Sequence, residues 1–350
     1  MERRITRSVN VGTVAIGGNA PISVQSMTNV AAADFEGTVR QLKALEKAGC
    51  AIARIAVPDT DCARVFTYAK EHGINIPLVA DIHFDYRLAL ESLKAGVDKI
   101  RINPGNIGSA ERVAAVADAC NLKNVPIRIG VNSGSVEKDL LEKFGGATPE
   151  AMVESAFRHV KLLEDCGFYN TVISIKSSDV ENMVKAYSLV AERCDYPLHL
   201  GVTEAGTERS SLIKSSIGIG SLLLNGIGDT IRVSITDTPV KEIYAARDIL
   251  KAVNVRVETP QIVSCPTCGR TKIDLVSLAN QVENAVKNIK KPIKIAVMGC
   301  VVNGPGEAKE ADIGVAGGDG CGVIFKKGEI LRKVNEDEIV KALLDEIDKI

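Results

Sequence analysis

A chain of 350 residues with 45% hydrophobic content can bury one large core and a second, smaller one. A formal net charge of −1, 4% aromatic residues and no Trp leave no electrostatic or base-stacking case for nucleic acid or a membrane surface. No apolar run is long enough to span a bilayer and the opening "MERRITRSVNVG" lacks the apolar centre of a secretory signal, so a cytoplasmic protein is expected.

From the N-terminus, eight short β-branched runs recur: "PISVQSM", "AIARIAVP", "IPLVADIH", "VDKIRINPG", "VPIRIGVN", "NTVISIKS", "PLHLGVTEAG" and "DTIRVSIT". Between them stand stretches such as "DFEGTVRQLKALEKAG", "DYRLALESLKAG" and "TPEAMVESAFRHVKLLEDCG", apolar at helical spacing and closed by glycine. Strands alternating with helices imply parallel βαβ units, and eight of them predict an α/β fold with a (β/α)8 TIM-type barrel over residues 1–255. An open doubly wound sheet is the rival. No GxGxxG follows the first strand, which disfavours its dinucleotide-binding form.

The strand ends are unusually polar. In order they carry Gln25 and Ser26; Arg54; Asp81 and His83; Arg101 and Asn103; Arg128 and Asn132; Lys176; Thr203 and Glu204; Arg232 and Ser234. In a barrel these fall at the C-terminal mouth, where barrel enzymes place their chemistry. One strand arginine is ordinarily a salt-bridged rim residue. Arg54, Arg101, Arg128, Lys176 and Arg232 together would repel one another unless an anion sat among them. Guanidinium forks match phosphate oxygens, so a substrate with more than one phosphoryl group is expected. Glu204, in "VTEAG", is the better candidate for proton transfer, with His83 and His199 less favoured because strand histidines are usually core residues. Asp81 has the plainer role of counter-charge. The glycines of "GIGSLLLNGIGDT" fit a phosphate cradle or tight turns equally well.

Beyond "AARDILKAVNV" the pattern breaks at the extended "RVETPQIVS", read as a linker. Residues 256–350 then read as a small α+β domain, with a cysteine pair, a helix "DLVSLANQVENAVKNI", a strand "IKIAVMGC", two strands "DIGVAGG" and "CGVIFKKG", and a last helix "EDEIVKALLDEIDKI". Cys265 and Cys268 in "SCPTCGRT" with Cys300 in "MGCVVNGPGEA" look like a metal site. A zinc ribbon would offer a second CxxC or a histidine pair, and no histidine follows His199; an iron–sulfur cluster fits better, with structural zinc as the alternative. The fourth ligand stays open at this point. Cys321 is the obvious thiol, and Glu307 lies across a Gly-Pro-Gly turn from Cys300.

"VQSMTN", "ARIAVP", "VADIHF", "IRINPGN", "RIGVN", "HLGVTEAG", "GIGDTIRVS", "SCPTCGRT" and "MGCVVNGPGEA" resemble, in order and over nearly the whole chain, the motifs of the bacterial 4-hydroxy-3-methylbut-2-en-1-yl diphosphate synthase family. The resemblance implies an oxidoreductase acting on CH or CH2 groups. Such enzymes open the ring of 2-C-methyl-D-erythritol 2,4-cyclodiphosphate and remove a hydroxyl, with two electrons from reduced flavodoxin or ferredoxin. It implies a [4Fe-4S] cluster on Cys265, Cys268, Cys300 and Glu307, leaving Cys321 a buried thiol. It implies substrate contacts from Arg54, Arg101, Arg128, Asn132 and Lys176, with Ser264 and Asn303 contributing from the second domain, and a homodimer with a composite site. Two rivals remain at this level. One is a barrel aldolase with a structural zinc domain and Lys176 as a Schiff-base lysine; the other is a metal-stapled binding module.

Overall fold

The chain begins with an antiparallel hairpin, β1 (Ser8–Val11) and β2 (Val14–Gly17), that the sequence reading did not anticipate. The structure is a computed structural model and describes residues 2–287, 289–301, 306 and 308–350. It divides into two units, Met1–Arg256 and Val257–Ile350.

In the first unit the eight anticipated runs form β3 (Ser23–Met27), β4 (Ile52–Ala56), β5 (Leu78–Asp81), β6 (Lys99–Ile102), β7 (Ile127–Asn132), β8 (Thr171–Lys176), β9 (His199–Leu200) and β10 (Thr230–Ile231). All pair in parallel in the order β8-β7-β6-β5-β4-β3-β10-β9. A parallel bridge from Ile173 to Leu198 joins β8 to the start of β9 and closes the barrel. Helices follow the strands, and at several of their starts a side chain caps the first turn: Asp34, Asp85, Thr148 and Asp179 each accept from a backbone N–H there.

Alternation along the strands sorts the residues by face. Val24, Ile55, Leu78, Ile100, Ile102, Ile127, Ile129, Ile173, Ile175, Leu200 and Ile231 pack outward against the helices in one continuous core. The barrel floor is a separate apolar cluster in which Val11 and Ile16 of the hairpin cover Ile52 and Val79. Above that floor the interior departs from the usual filling of branched apolar side chains. Gln25, Lys99, Arg128, Ser174, His199 and Thr230 are fully buried there, which is the physical oddity of this barrel.

The second unit is a five-stranded sheet, β11 (Gln261–Ser264), β12 (Lys294–Met298), β13 (Ile313–Gly318), β14 (Cys321–Lys326) and β15 (Glu329–Asn335), adjacent in that order. The first three are parallel and the last three antiparallel. Helices Leu275–Val286 and Ile339–Ile347 bury Leu278, Val282 and Leu343 against Ile295, Val297, Val315 and Ile324. Two readings change here. "QIVS" belongs to a parallel edge strand rather than to a linker. The last hairpin has a second arm, β15, because Lys327 and Gly328 both take positive φ and reverse the chain tightly.

Candidate active site

Met27, Asp81, Arg101, Gly130, Lys176, Gly201 and Arg232 form the uppermost inward layer of the barrel, with Arg54 beside Met27. Two of the seven are glycines, and the space they leave is used. A Cβ on Gly130 would run into the Arg101 guanidinium, and one on Gly201 would sit 3.2 Å from Lys176 Nζ. Large cations fold into the mouth only because these positions have no side chain.

Five cations meet two carboxylates. Asp81 pairs with Arg101 at 3.2 Å and Arg54 at 3.7 Å, and lies 3.8 Å from His83 Nε2. Burial alone would raise the Asp81 pKa; Arg54, Arg101 and Arg128 overcome it and hold the carboxyl at about 2. Glu242, on the helix Pro239–Ala252, accepts from Arg232 Nε and Nη2 at 3.1 Å each and from Ser26 Oγ at 2.7 Å. Arg54 Nε and Nη2 also rest on the Met27 sulfur at 3.1 and 2.9 Å. Arg101 donates to the Gly130 carbonyl at 2.7 Å, and Asn103 Oδ1 accepts from Gly130 N–H at 3.0 Å.

The remaining cations lack such support. Arg128 is 1% exposed, with Nε and Nη2 unpartnered. Burial first, then Arg54 and Arg101, push its pKa well down. Lys176 is depressed in the same way by burial and by Arg232, Arg54, Arg128 and Arg101. Burial lowers Arg54 to about 10 despite Asp81. These buried cations repel one another, and Arg128 keeps N–H donors without a protein partner.

At the rim, Glu204 is exposed and adopts φ +51°, a left-handed backbone that a glutamate seldom takes. Asn132, Thr203 and Ser234, at or just beyond the ends of their strands, are half-buried, and the His83 side chain is 62% exposed. His199 is a correction. It lies one inward step below Gly201, is fully buried and has Nε2 unpartnered, and burial then Arg128 and Lys176 drive its pKa well down. It does not reach the mouth and is held neutral. The glycine-rich "GIGSLLLNGIGDT" is also not a cradle at this mouth: Gly218 and Gly220 lie within the helix Glu208–Leu224, and Gly228 precedes β10 at the opposite end of the barrel, where its bare Cα lets Leu200 pack. Sequence reasoning missed Glu242, Met27 and Lys99. A signal existed for Lys99: in "VDKIRIN" it shares strand alternation with Arg101.

In the second unit, Cys265 and Cys300 leave the C-terminal ends of the adjacent parallel strands β11 and β12. Gly299 N–H donates to Cys265 Sγ at 3.2 Å, and Lys272 N–H donates to the Gly299 carbonyl at 3.1 Å. These bonds lace the CxxC loop to the residue before Cys300. Gly299 is required for that approach, since a Cβ there would lie 3.0 Å from Thr271. Cys268 is exposed, and a backbone hydrogen bond from Arg270 lowers its thiol pKa. Ser264 is exposed at the end of β11. Cys321 is half-buried rather than buried, its sulfur facing Gly318 at the same end of the sheet. Among the described residues no three His, Cys, Asp or Glu side chains close on one point; Glu307 and Asn303 lie outside them.

A closed (β/α)8 barrel with a polar C-terminal mouth, followed by an α+β unit, defines the class: a TIM-barrel enzyme with an appended domain. A model described as the GcpE TIM-barrel domain matches residues 6–247, and one described as the GcpE protein C-terminal domain matches residues 261–349. The chain belongs to the GcpE family. It is 59% identical over 99% of its length to 98% of a Caldanaerobacter subterraneus subsp. tengcongensis protein named 4-hydroxy-3-methylbut-2-en-1-yl diphosphate synthase (flavodoxin). A Clostridium perfringens protein of the same name is 58% identical, with all of both chains covered. Among solved structures, a truncated 3-deoxy-D-arabino-heptulosonate 7-phosphate synthase from Thermotoga maritima is 12% identical, covers 71% of this chain and 94% of its own, and gives a TM-score of 0.51; that likeness is one of fold.

Proposed function

We propose that this chain converts 2-C-methyl-D-erythritol 2,4-cyclodiphosphate into (E)-4-hydroxy-3-methylbut-2-en-1-yl diphosphate in isoprenoid biosynthesis, as an oxidoreductase acting on CH or CH2 groups. Family membership and the names of its relatives support the reaction. The observation that supports the barrel as the substrate site is Arg128, buried among cations with two N–H groups unfilled. A cyclic diphosphate supplies the missing negative charge.

Arg54, Arg101, Arg128, Lys176 and Arg232 bind the phosphoryl oxygens, and Asn103, Asn132, Thr203 and Ser234 orient the ligand through neutral contacts. Asp81 and Glu242 hold Arg101 and Arg232 in their rotamers without neutralising the mouth. Glu204 hands a proton to the departing hydroxyl oxygen; its exposure lets it exchange protons with solvent. His83 is the second choice for that step.

The donor set of the second unit fits an iron–sulfur cluster: the thiols are uncommitted, and N–H groups already point at Cys265 sulfur and lower the Cys268 pKa. Cys265, Cys268, Cys300 and Glu307 would hold a [4Fe-4S] cluster, which when bound supplies single electrons and a Lewis-acidic iron. Ser264, adjacent to Cys265, and Asn303, three residues after Cys300, would serve the substrate. Reduced flavodoxin, named with the relatives, or ferredoxin delivers the electrons. Two copies of the chain form the working unit, measurable as mass in solution. No helix is long and apolar enough to cross a membrane, and nine free thiols fit a reducing cytoplasm.

Calorimetric binding of the cyclic diphosphate tests the assignment. Arg128→Ala is expected to lose about 2–4 kcal/mol of binding, because it leaves a buried anion under-compensated, while iron content stays at the parent level. Unchanged affinity would remove the barrel cations from the substrate site.

A further inference from the structure

Lys99 is a fully buried cation of the barrel that makes none of the ligand contacts proposed for the mouth. It stands on β6 two residues before Arg101, one inward layer deeper, about 7 Å further from the mouth. Its Nζ donates to Gln25 Oε1 at 3.2 Å, across the interior from β3. The neighbours that face it are cationic or neutral: Arg54 from β4, Arg128 from β7 and His199 from β9, with Arg101 above it on its own strand and Asp81 on β5 engaged by Arg101 and Arg54. Around it the polar atoms are short of partners: Gln25 Nε2, Arg128 Nε and Nη2, Ser174 Oγ and His199 Nε2 are all buried and unfilled. A charged ammonium has no counter-charge in such a chamber until an anion arrives overhead.

We propose that Lys99 is an internal counter-cation that takes up one proton from solvent when the cyclic diphosphate binds above it. This rests on the placement of the diphosphate at the barrel mouth. In the free protein, burial first and then Arg128 and Arg54 hold the Lys99 pKa well below the ordinary lysine value, which favours the neutral amine as the hydrogen-bond donor to Gln25. The incoming phosphoryl charge offsets the repulsion from both arginines and favours the ammonium; the balance is one amine plus one solvent proton giving one ammonium. The sign follows from linkage. A group whose pKa rises on binding strengthens affinity at low pH, and that gain is lost as pH climbs through the bound-state pKa.

The experiment is calorimetric titration of the full-length protein with 2-C-methyl-D-erythritol 2,4-cyclodiphosphate, in pairs of buffers of different ionisation enthalpy, over roughly pH 6.5 to 10. At the pH of greatest uptake, Lys99→Met is expected to take up about one proton fewer per bound ligand than the parent and to show a flatter fall of affinity with pH. Binding with unchanged proton uptake in Lys99→Met overturns the proposal; absence of binding in the parent protein overturns the underlying site instead. Protein carrying 13C at lysine Cε supplies a second reading. The Lys99 resonance, assigned by its loss in Lys99→Met or its survival in Lys176→Met, is expected to move from the neutral to the charged position on adding the cyclic diphosphate. A Lys99 resonance that stays where it was overturns the proposal.

Discussion

The two units solve the placement of reactive groups in opposite ways. In the barrel, the functional groups lie on strands whose backbones are locked by parallel pairing, and most of the charge is buried before any ligand arrives. In the C-terminal unit, the thiols sit on loops beyond strand ends, half-buried or exposed, and two backbone hydrogen bonds lace their surroundings together. The barrel site is shaped by the fold and strained by its own charges. The cysteine loops carry no such packing, and the proposed cluster would complete them. Changes in the first should therefore read out as affinity and acid stability, and changes in the second as iron content.

The largest effect is expected for the thiol ligands. Cys265→Ser, Cys268→Ser or Cys300→Ser should lose most of the iron and lower turnover by at least about 10³-fold, because a hydroxyl holds iron far more weakly than a thiolate. Binding of the cyclic diphosphate to the barrel should survive. Glu307→Cys sharpens the contrast: four irons retained, turnover lost. Iron and activity both retained in Glu307→Ala would return the fourth position to Cys321.

Next comes Glu204→Gln, expected to slow turnover by about 10²-fold with affinity and iron unchanged. A near-normal rate would promote His83. Acid should separate the units further. Asp81 titrates near 2 in the folded barrel against about 3.9 unfolded, so its stabilising contribution is complete above pH 4 and disappears as pH falls through 2. Barrel unfolding followed by circular dichroism should show a loss of about 2 kcal/mol over that window, and Asp81→Asn should flatten the acid limb. A smaller effect is expected for Gly130→Ala. The added methyl displaces the Arg101 guanidinium, costing about tenfold in affinity while leaving the iron alone. Smallest is Cys321→Ser, a half-buried thiol to hydroxyl exchange that should keep iron and activity within about twofold, read by absorbance and assay.

Much of this was legible in the residues. All eight barrel strands answer to the β-branched runs, since parallel strands covered by helices must be apolar on their outward face and bounded by turns. The polar strand ends marked the mouth for the same reason. Harder to read was depth. His199 and Thr203 come from one run, yet His199 points into the closed interior and Thr203 lies half-buried beyond the strand's end. β15 was missed because its pattern is almost wholly exposed, so no alternation of apolar residues announces it.

By itself, the amino-acid order determined periodicity, and periodicity determined which elements form and which face of each strand meets the helices. It also set the chemical inventory: the cations, the rim glutamate and the three thiols. Only the closed barrel decided which of those cations keep a partner. Asp81 takes Arg101 and Arg54, and Glu242, in the first turn of the helix that follows β10, takes Arg232. Arg128, Lys176 and Lys99 are left buried without a carboxylate of their own. That division depends on distances of a few ångströms between strands far apart in the chain, and the free energy of a buried charge changes steeply over such distances.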